Sequence, residues 1–441
     1  MKITKAKRLA GRAPVPGDKS ISHRAALIGA AAEGTTVISN FASSADCSST
    51  LACLSSLGIG IDRDGNTVRV QGRGKQGFSA PSEVLDCGNS GTTARLLSGL
   101  LAGQPFHSTL DGDASLRSRP MRRIIEPLGL MGAEVRTATG TLPMEITGRK
   151  PLAAIRYELP VASAQIKSCV LLAGLNADGV TAVSDPASPK HGSASRDHTE
   201  IMLRQFGAEI TTDDAPVPGG FVHSVRIAGD SRLSAREIRV PGDISAAAFL
   251  LVAAACVEGS DVELPSVGIN PTRAGIIDAL RRMGARIGVE LSGPGSGEPV
   301  GTLSVIGGIE PPGEPVVLSG SEIPNLIDEL PVLAVMGTRL PNGLEVRDAA
   351  ELRVKESDRI SAVVGNLRKM GADADERKDG FFIGPSKLKG TRVDSFGDHR
   401  IAMAFAVAGL LAEGETVIDG AGCVAVSFPG FFDVISKLAE I

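Results

Sequence analysis

The chain alternates between two kinds of apolar segment, and the first kind is apolar on every side. Each such segment begins with polar residues, continues as a run of small apolar residues and closes at a glycine, after which a β-rich stretch begins. A helix that is apolar all round is typical of a buried position, where small side chains allow close packing. Six of these predicted buried helices recur every 69 to 84 residues, at 19–34, 89–103, 163–179, 243–259, 325–343 and 398–414.

Segments of the second kind lie between those of the first kind. Their polar and apolar residues alternate with a period of 3.6 residues, which is typical of an amphipathic helix. Each ends at a glycine that follows Leu, Met or Phe. Such a glycine closes a helix because it adopts positive φ without a Cβ clash. The pattern predicts outer helices that cover the buried ones, within residues 48–58, 121–132, 199–207, 274–284 and 360–371.

Together these segments predict an α/β fold built from six similar units. Two nearly identical Pro-Gly sequences, PVPGD at 14–18 and VPGD at 240–243, stand at equivalent points three units apart. Pro-Gly sequences are typical of turns between segments, so their repetition favours two domains of three units each. The alternative is one open solenoid of six units, although solenoid repeats are usually shorter than these.

Composition narrows the classes of function. The chain has 441 residues, of which 42% are hydrophobic and 22% charged, the balance of a soluble globular protein. The net charge of −4, the absence of Trp and the single Tyr argue against nucleic acid as a partner. The longest apolar stretches are shorter than the roughly 20 residues that a membrane span needs. The first residues lack the apolar run of a signal peptide, so a cytoplasmic protein is expected.

The six cysteines show no metal-ligand spacing. In a chain of this size they are expected to be small buried apolar residues in a reducing compartment.

Candidate chemistry lies at the beginnings of the predicted buried helices. Ser, Thr, Asn and Asp there can be simple N-caps. Lys19, Arg24 and Arg400 are harder to explain in this way, because a cation near a helix N-terminus opposes the helix dipole. Several such helix ends with added cations predict a site for an anion.

Basic residues also lie at the beginnings of the outer helices. Arg117, Arg119, Arg196, Lys355 and Arg359 all occupy such positions. Lys355 and Arg359 are four residues apart, which predicts that they share one helix face. The alternative is a solvated charged surface, but repeated clusters in an acidic chain favour a site for a small polyanion.

Two carboxylates stand within this basic setting. Asp328 is expected inside the first turns of the fifth buried helix, in an otherwise apolar stretch, and Glu356 lies between Lys355 and Arg359. A buried Asp is often a cap or an ion-pair partner. Two carboxylates among cations can also act as a paired acid and base.

Seven short motifs, in order along the chain, resemble those of the EPSP synthases. The resemblance covers essentially the whole sequence and rests on DKSISHR at 18–24, GNSGTTAR at 88–95, SRP at 118–120, ASAQIKS at 162–168, SRDHTE at 195–200, RVKESDR at 353–359 and GDHRIAM at 397–403.

The resemblance implies a fold of two domains, each of three βαβαββ repeats with buried helices and sheets outside, an inside-out α/β barrel type. It implies an N-terminal domain of residues 15–239 and a discontinuous C-terminal domain of residues 1–14 plus 240–441. The active site is expected in the cleft between them.

The implied activity is transfer of the enolpyruvyl group of phosphoenolpyruvate to the 5-hydroxyl of shikimate 3-phosphate, with release of phosphate, in aromatic amino acid biosynthesis. By resemblance, Asp328 is the base at the hydroxyl, Glu356 is the acid at the methylene carbon, and Lys19 assists phosphate departure. Shikimate 3-phosphate is expected to contact Lys19, Ser20, Arg24, Ser163, Ala164, Gln165, Arg196, Asp328 and Lys355. Phosphoenolpyruvate is expected to contact Lys19, Gly91, Arg119, Gln165, Arg359 and Arg400.

The resemblance implies no metal and no organic cofactor, and the expected partners are the two small substrates alone, with no nucleic acid and no membrane. A monomer is expected. Three positions depart from the family pattern: Val426 replaces a Lys, Glu351 replaces an Asn, and Ala164 replaces a Ser. In the class that this chain resembles, Ala at the position of Gly91 is associated with glyphosate tolerance, so Gly91 predicts a glyphosate-sensitive enzyme.

Two other functions remain open at this point. The related transferase that acts on UDP-N-acetylglucosamine has a loop Cys at the position of Ala114, and this loop has none. A non-catalytic anion-binding protein would bind phosphorylated shikimate without releasing phosphate. An assay with both acceptor substrates tests the first alternative, and phosphate release that requires both substrates tests the second.

Overall fold

The structure is a computed structural model that describes residues 1–189, 192, 194–295 and 297–441. The chain divides into two compact units. The N-terminal unit comprises Gly17–Val240 and Gly295–Glu298, and the C-terminal unit comprises Met1–Pro16, Pro241–Pro294 and Pro299–Ile441. Each unit encloses a hydrophobic core of its own.

The described residues of the N-terminal unit form three four-stranded sheets with one common strand order. In each sheet a parallel pair is extended by two antiparallel strands. The first strand of the first sheet comes from the end of the unit, so the last segment of the unit pairs with a strand of the first repeat. In spatial order the sheets are Glu237–Arg239, Glu33–Ser39, Thr67–Arg73, Gly60–Asp64; then Leu85–Asp86, His107–Asp111, Met144–Thr147, Glu134–Thr137; then Arg156–Glu158, Val180–Ser184, Gly220–Ala228, Ile210–Val217. A short parallel pair, Leu152–Ala153 with Ala177–Asp178, is added.

The helices of this unit divide as the hydrophobic pattern predicts. Among the described residues of this unit, three helices are buried along most of their length: Lys19–Ala31, Gly91–Ala102 and Ala164–Gly174. Three others bury one face only: Ala45–Ser56, Arg122–Leu130 and His198–Gln205. One further turn of helix spans Ala114–Arg117.

The C-terminal unit repeats the same plan. Its first sheet takes in strands from both ends of the chain, because Arg8–Arg12 pairs in parallel with Asp261–Gly268 and in antiparallel with Ala439–Glu440. The three sheets, in spatial order, are Ala285–Gly295, Glu298–Ile309, Asp261–Gly268, Arg8–Arg12, Ala439–Glu440; then Val316–Leu318, Leu344–Val346, Gly380–Ile383, Ala374–Arg377; then Lys2–Thr4, Glu415–Asp419, Arg392–Asp394.

Every residue is buried in its three inner helices, Ile244–Cys256, Leu330–Gly337 and His399–Leu411. The outer helices are Gly275–Arg282, Arg359–Lys369 and Phe431–Leu438, and shorter turns span Gly320–Glu322, Ile323–Leu326, Ala350–Val354 and Ala421–Val426. The predicted α/β class of repeated βαβαββ units is therefore confirmed.

The glycines that end the outer helices also agree with their prediction. Gly58, Gly132, Gly207, Gly284 and Gly371 all have φ between 82° and 98°, the left-handed region that a side chain disfavours. The six cysteines are free, and five of them are buried.

Two local predictions were wrong. Asp328 does not lie inside the fifth buried helix, which begins at Leu330 with Pro331 in its first turn, but in the turn that precedes it. Lys355 and Arg359 do not share a helix face. Lys355 has extended backbone after the turn Ala350–Val354, whereas Arg359 is the first residue of its helix, capped by Asp358.

Candidate active site

In the N-terminal unit, Lys19 is the first residue of a buried helix and its charge is balanced within the chain. Asp18 caps this helix and accepts a hydrogen bond from the amide of Ile21 at 2.8 Å. Lys19 Nζ donates to Asp46 Oδ2 at 3.0 Å, with both side chains largely buried. The sequence predicted that an anion would lie near Lys19. The carboxylate of Asp46 is one such anion.

Side-chain hydrogen bonds join the beginnings of the helices Gly91–Ala102 and Ala164–Gly174. Arg95 Nη1 donates to Gln165 Oε1 at 2.6 Å, and Gln165 Nε2 donates to Thr92 Oγ1 at 3.1 Å. Arg119 Nη2 donates to Asn89 Oδ1 at 2.7 Å, just before the first of these helices. Arg95 was not among the predicted site residues, although it closes the GNSGTTAR motif.

Gly91 brings bare backbone close to these cations. A Cβ atom at Gly91 would lie 2.9 Å from Arg95 Nη1 and 3.6 Å from Arg119 Nη1. Its own N–H is one of the first amides of a helix, which have no acceptor within that helix. Two guanidinium groups and a helix N-terminus therefore surround one glycine, an arrangement suited to a small carboxylate or phosphate.

Arg24 links the first and third repeats of this unit. Its Nε donates to Thr199 Oγ1 at 2.6 Å, its Nη1 to the carbonyl of Ser20 at 2.9 Å and its Nη2 to Ser168 Oγ at 2.8 Å. Burial lowers the pKa of Arg24 to about 10, with Glu200 acting in the opposite direction. Arg24 therefore remains a cation at neutral pH.

The other predicted ligands of this unit lie around the same groups. Ser163 immediately precedes the helix that begins at Ala164. Arg196 precedes the helix His198–Gln205, and its charge acts on Arg24. The structure therefore brings Ser20, Arg24 and Arg196 into one neighbourhood, and Gly91, Arg119 and Gln165 into another.

In the C-terminal unit, Arg359 joins the two candidate catalytic carboxylates. Arg359 Nη1 lies 3.4 Å from Asp328 Oδ1, and Nη2 donates to Glu356 Oε2. Its Nε donates to Asp398 Oδ2 at 2.8 Å. Burial alone would lower the pKa of Arg359, but the charges of Asp398, Glu356 and Asp328 raise it above the ordinary value. Arg359 is therefore a permanent cation between carboxylates.

Arg400 approaches Asp328 from another repeat. Its Nη1 donates to the carbonyl of Asp328 at 3.0 Å and to Ser245 Oγ at 2.6 Å. Its Nε lies 3.7 Å from Asp328 Oδ1. Asp398 caps the helix of Arg400 and accepts from its amide at 2.9 Å. Asp328, Glu356, Arg359 and Arg400, all predicted from the sequence, are thus one cluster.

Lys355 is partly buried and pairs with the more exposed Glu351. The distance from Lys355 Nζ to Glu351 Oε1 is 2.7 Å. Glu351 is one of the positions that depart from the family pattern. A partly exposed pair of this kind contributes little to stability.

Arg273, Glu329 and Asp398 complete the cluster around Asp328 and were not among the predicted site residues, although Asp398 lies in the GDHRIAM motif. A signal for Arg273 was present in the repeats. Arg119, Arg196 and Arg359 each lie at the start of an outer helix or within three residues before it, and Arg273 lies two residues before Gly275–Arg282.

Within the part of the chain that the structure describes, no cluster of three or more His, Cys, Asp or Glu is arranged to hold a metal ion. A search of the same residues finds no helix with the length and apolar character needed to cross a membrane.

Comparison with known proteins decides the family. A family model described as EPSP synthase (3-phosphoshikimate 1-carboxyvinyltransferase) matches residues 3–435. The chain belongs to the EPSP synthase family. It is therefore an enzyme, a transferase of the shikimate pathway, as the seven motifs predicted.

Curated and solved EPSP synthases support the same assignment over the full length. A 3-phosphoshikimate 1-carboxyvinyltransferase of Pelotomaculum thermopropionicum is 51% identical over 99% of this chain and 98% of its own length. One of Desulforamulus reducens is 50% identical with the same coverage. The solved EPSP synthase of Acinetobacter baumannii is 41% identical, covers 99% of this chain and 97% of that chain, and superposes with a TM-score of 0.84.

Proposed function

We propose that this enzyme uses the side chains described above to transfer the enolpyruvyl group of phosphoenolpyruvate to the 5-hydroxyl of shikimate 3-phosphate. The reaction itself is that of the EPSP synthase family. The observation that carries the residue assignment is the shared guanidinium of Arg359, which contacts both Asp328 and Glu356. One fixed cation thereby holds the two carboxylates that the chemistry needs within one small space.

Shikimate 3-phosphate is proposed to bind through groups of both units. Ser163, the amide of Ala164 and Arg196 would receive its phosphate, because a helix N-terminus with an added cation favours such a group. Its hydroxyl and carboxylate groups would contact Lys19, Ser20, Arg24, Gln165, Asp328 and Lys355. The closeness of Ser20, Arg24 and Arg196 supports this grouping.

Phosphoenolpyruvate is proposed to bind through Lys19, Gly91, Arg119, Gln165, Arg359 and Arg400. Its carboxylate and phosphate carry several negative charges, and guanidinium groups can bind such oxygens in pairs. The position of Gly91 beside Arg119 supports the assignment in the N-terminal unit. The neighbouring positions of Arg359 and Arg400 around Asp328 support it in the C-terminal unit.

In the proposed mechanism, Asp328 takes the proton of the 5-hydroxyl while the hydroxyl oxygen attacks C2 of phosphoenolpyruvate. Glu356 gives a proton to the methylene carbon C3, and a tetrahedral intermediate forms. The C2–O bond to phosphate then breaks, Glu356 takes a proton back from C3, and the double bond is restored. Lys19 stabilises the departing phosphate. Each carboxylate acts at a different atom, as acid–base catalysis requires.

We also propose that residues 15–239 and residues 1–14 plus 240–441 act as two domains that both contribute ligands. The separate hydrophobic cores support this division. Val426 stands where many relatives have a Lys that contributes to the phosphoenolpyruvate site, so Arg359 and Arg400 would carry more of that role here. A cytoplasmic monomer, without nucleic acid or membrane partners, completes the proposal.

The test replaces each carboxylate separately. Asp328→Ala and Glu356→Gln should each lower turnover at least about a hundredfold, the contribution expected of general acid–base catalysis. Phosphate release is measured with both substrates and with each omitted in turn. Glu345→Gln is the matched control, since Glu345 pairs with Arg347 on the surface of the same unit. Near-normal turnover in a folded Asp328→Ala or Glu356→Gln enzyme removes that residue from the mechanism.

A further inference from the structure

Arg273 is a buried cation that neither the motifs nor the proposed substrate contacts include. Only 4% of its side chain is exposed. Its Nη1 lies 3.7 Å from Asp328 Oδ2 and 3.6 Å from Glu329 Oε1, and its Nη2 lies 3.6 Å from Asp243 Oδ1. These are ion-pair distances, slightly longer than hydrogen bonds. Asp243 caps the helix Ile244–Cys256, so Arg273 links that helix end to the carboxylate proposed as the base.

The two oxygens of Asp328 face different cations. Oδ1 lies 3.4 Å from Arg359 Nη1 and 3.7 Å from Arg400 Nε, whereas Oδ2 lies 3.7 Å from Arg273. Charges on both sides of a carboxylate fix its rotation about the Cβ–Cγ bond, which is otherwise a soft torsion. A carboxylate has about four lone-pair sites, so an oxygen held by a longer ion pair can still accept a proton from a substrate hydroxyl.

The loop that carries Arg273 is itself held in place. The carbonyl of Asn270 accepts from the amide of Arg273 at 2.8 Å, and Asn270 Oδ1 accepts from the amide of Thr272 at 2.9 Å. Asn325 Nδ2 donates to the carbonyl of Pro271 at 3.0 Å, from the segment that leads to Asp328. The loop and the base are therefore supported by one local network, as precise positioning requires.

We propose that Arg273 is a positioning residue for Asp328, holding this carboxylate in the orientation and the ionised state in which it accepts the proton of the acceptor hydroxyl. The proposal rests on the assignment of Asp328 as the base. Arg273 is not a catalytic residue in this scheme, because it acts through Asp328 and makes no contact with the reacting atoms.

The charged side chains near Asp328 affect whether its carboxylate is ionised. Three guanidinium groups lie near Asp328, those of Arg273, Arg359 and Arg400. These cations also pair with four further carboxylates: Asp243, Glu329, Glu356 and Asp398. A nearby cation favours the ionised form of a carboxylate, and nearby anions favour the protonated form. Loss of Arg273 leaves the anions in larger excess, so Asp328 would be protonated at higher pH and would then fail as a base.

Two substitutions separate orientation from charge. Arg273→Met removes the charge, and Arg273→Lys keeps it without the planar guanidinium group. We expect Arg273→Met to lower kcat roughly 10- to 100-fold, the loss that a misplaced reacting group produces. It should also move the acidic limb of the kcat profile to higher pH. Arg273→Lys should lower kcat while leaving that limb near its wild-type position, because the lysine still supplies a positive charge.

Arg282→Met is the matched control, because Arg282 lies in the helix that follows and pairs with Glu322 at the surface. It should change neither kcat nor the pH profile. Thermal unfolding of each variant monitors the fold. If Arg273→Met does not fold, the comparison of Arg273→Lys with wild type still decides the proposal, since a folded lysine variant with unchanged kcat would overturn it.

A double-mutant cycle with Asp328→Asn tests whether Arg273 acts through Asp328. If it does, Arg273→Met causes little further loss in the Asp328→Asn enzyme, measured by single-turnover phosphate release. An equal loss in both backgrounds, or an unmoved acidic limb in Arg273→Met, overturns the proposal. Failure of the proposed function gives a different result, namely near-normal turnover in Asp328→Asn alone.

Discussion

Arg359 Nε donates to Asp398 Oδ2 across 2.8 Å, with 1% and 0% of the two side chains exposed. The pair joins the start of the outer helix Arg359–Lys369 to the start of the inner helix His399–Leu411. Burial of two charges costs desolvation energy, and removal of one partner leaves the other uncompensated. Asp398 therefore fixes the guanidinium that in turn holds Asp328 and Glu356.

Asp398→Asn should destabilise the protein in a pH-dependent way. Burial alone would raise the pKa of Asp398. The charge of Arg359 outweighs this effect, so the pKa lies below its usual range. The ionised form then stabilises the native state above about pH 4, where an unfolded Asp is also ionised. This contribution is lost as pH falls through the lower native pKa.

We expect Asp398→Asn to lower the free energy of unfolding by about 3–5 kcal/mol at neutral pH, and the difference from wild type to shrink in more acidic solution. Urea unfolding of both proteins between neutral pH and about pH 3 measures this difference. A difference that stays constant over that range would contradict the prediction.

Gly91→Ala should weaken the binding of phosphoenolpyruvate while preserving the fold. The new methyl group would lie 2.9 Å from Arg95 Nη1, so the guanidinium that donates to Gln165 must move. Ala is a better helix former than Gly, so stability should not fall. We expect KM for phosphoenolpyruvate to rise several-fold, about 1 kcal/mol of binding, with KM for shikimate 3-phosphate changed less. Steady-state kinetics with each substrate varied in turn checks this, and an unchanged KM for phosphoenolpyruvate would be evidence against the assignment of Gly91.

Gly99→Ala should destabilise the N-terminal unit. A Cβ atom at Gly99 would lie 2.2 Å from the carbonyl oxygen of Cys169 in the neighbouring buried helix, and a backbone atom cannot move away as a side chain can. Overpacking of this kind costs about 1–3 kcal/mol. Gly129→Ala is the control, because its Cβ would meet no atom within 4 Å among the described residues. Denaturant unfolding should show a loss for Gly99→Ala only, and equal stability of the two variants would refute the close approach of these helices.

His23 should make the native state less stable as the solution is acidified. Burial lowers the pKa of His23 to about 3, with Asp46 raising it and Lys19 and Arg24 lowering it. An unfolded His titrates near about 6.5, so between these two values the unfolded chain binds a proton that the native state does not. The unfolding free energy should therefore fall by up to about 1.4 kcal/mol for each pH unit below about 6.5.

His23→Asn removes this titration while keeping a polar group near Thr50 Oγ1, which lies 2.7 Å from His23 Nδ1. The variant should lose less stability than wild type when the solution is acidified through this range. Parallel slopes for the two proteins in urea unfolding would show that His23 does not titrate in the way that its burial requires.

Much of the fold could be predicted from the sequence because its signals are local, whereas the candidate site residues were predicted from the resemblance to a known family. The apolar runs determine which helices are buried, and each glycine after an outer helix, such as Gly132 or Gly284, determines where that helix ends. The resemblance to the EPSP synthases implied Asp328, Glu356, Arg359 and Arg400 as site residues before any geometry was known, although Asp328 lies outside the seven motifs. Local composition is sufficient for the helices and their ends, since each depends on a few neighbouring residues.

Tertiary structure alone decided which distant segments meet. Glu237–Arg239 pairs with Glu33–Ser39 across about two hundred residues of chain, and periodicity within either strand carries no information about its partner. The separation of Lys355 from the helix of Arg359 was decided by the cap at Asp358, which outweighed the four-residue spacing. Arg273 gained its place beside Asp328 in the same way, because an ion pair depends on the distance between atoms and not on the distance along the chain.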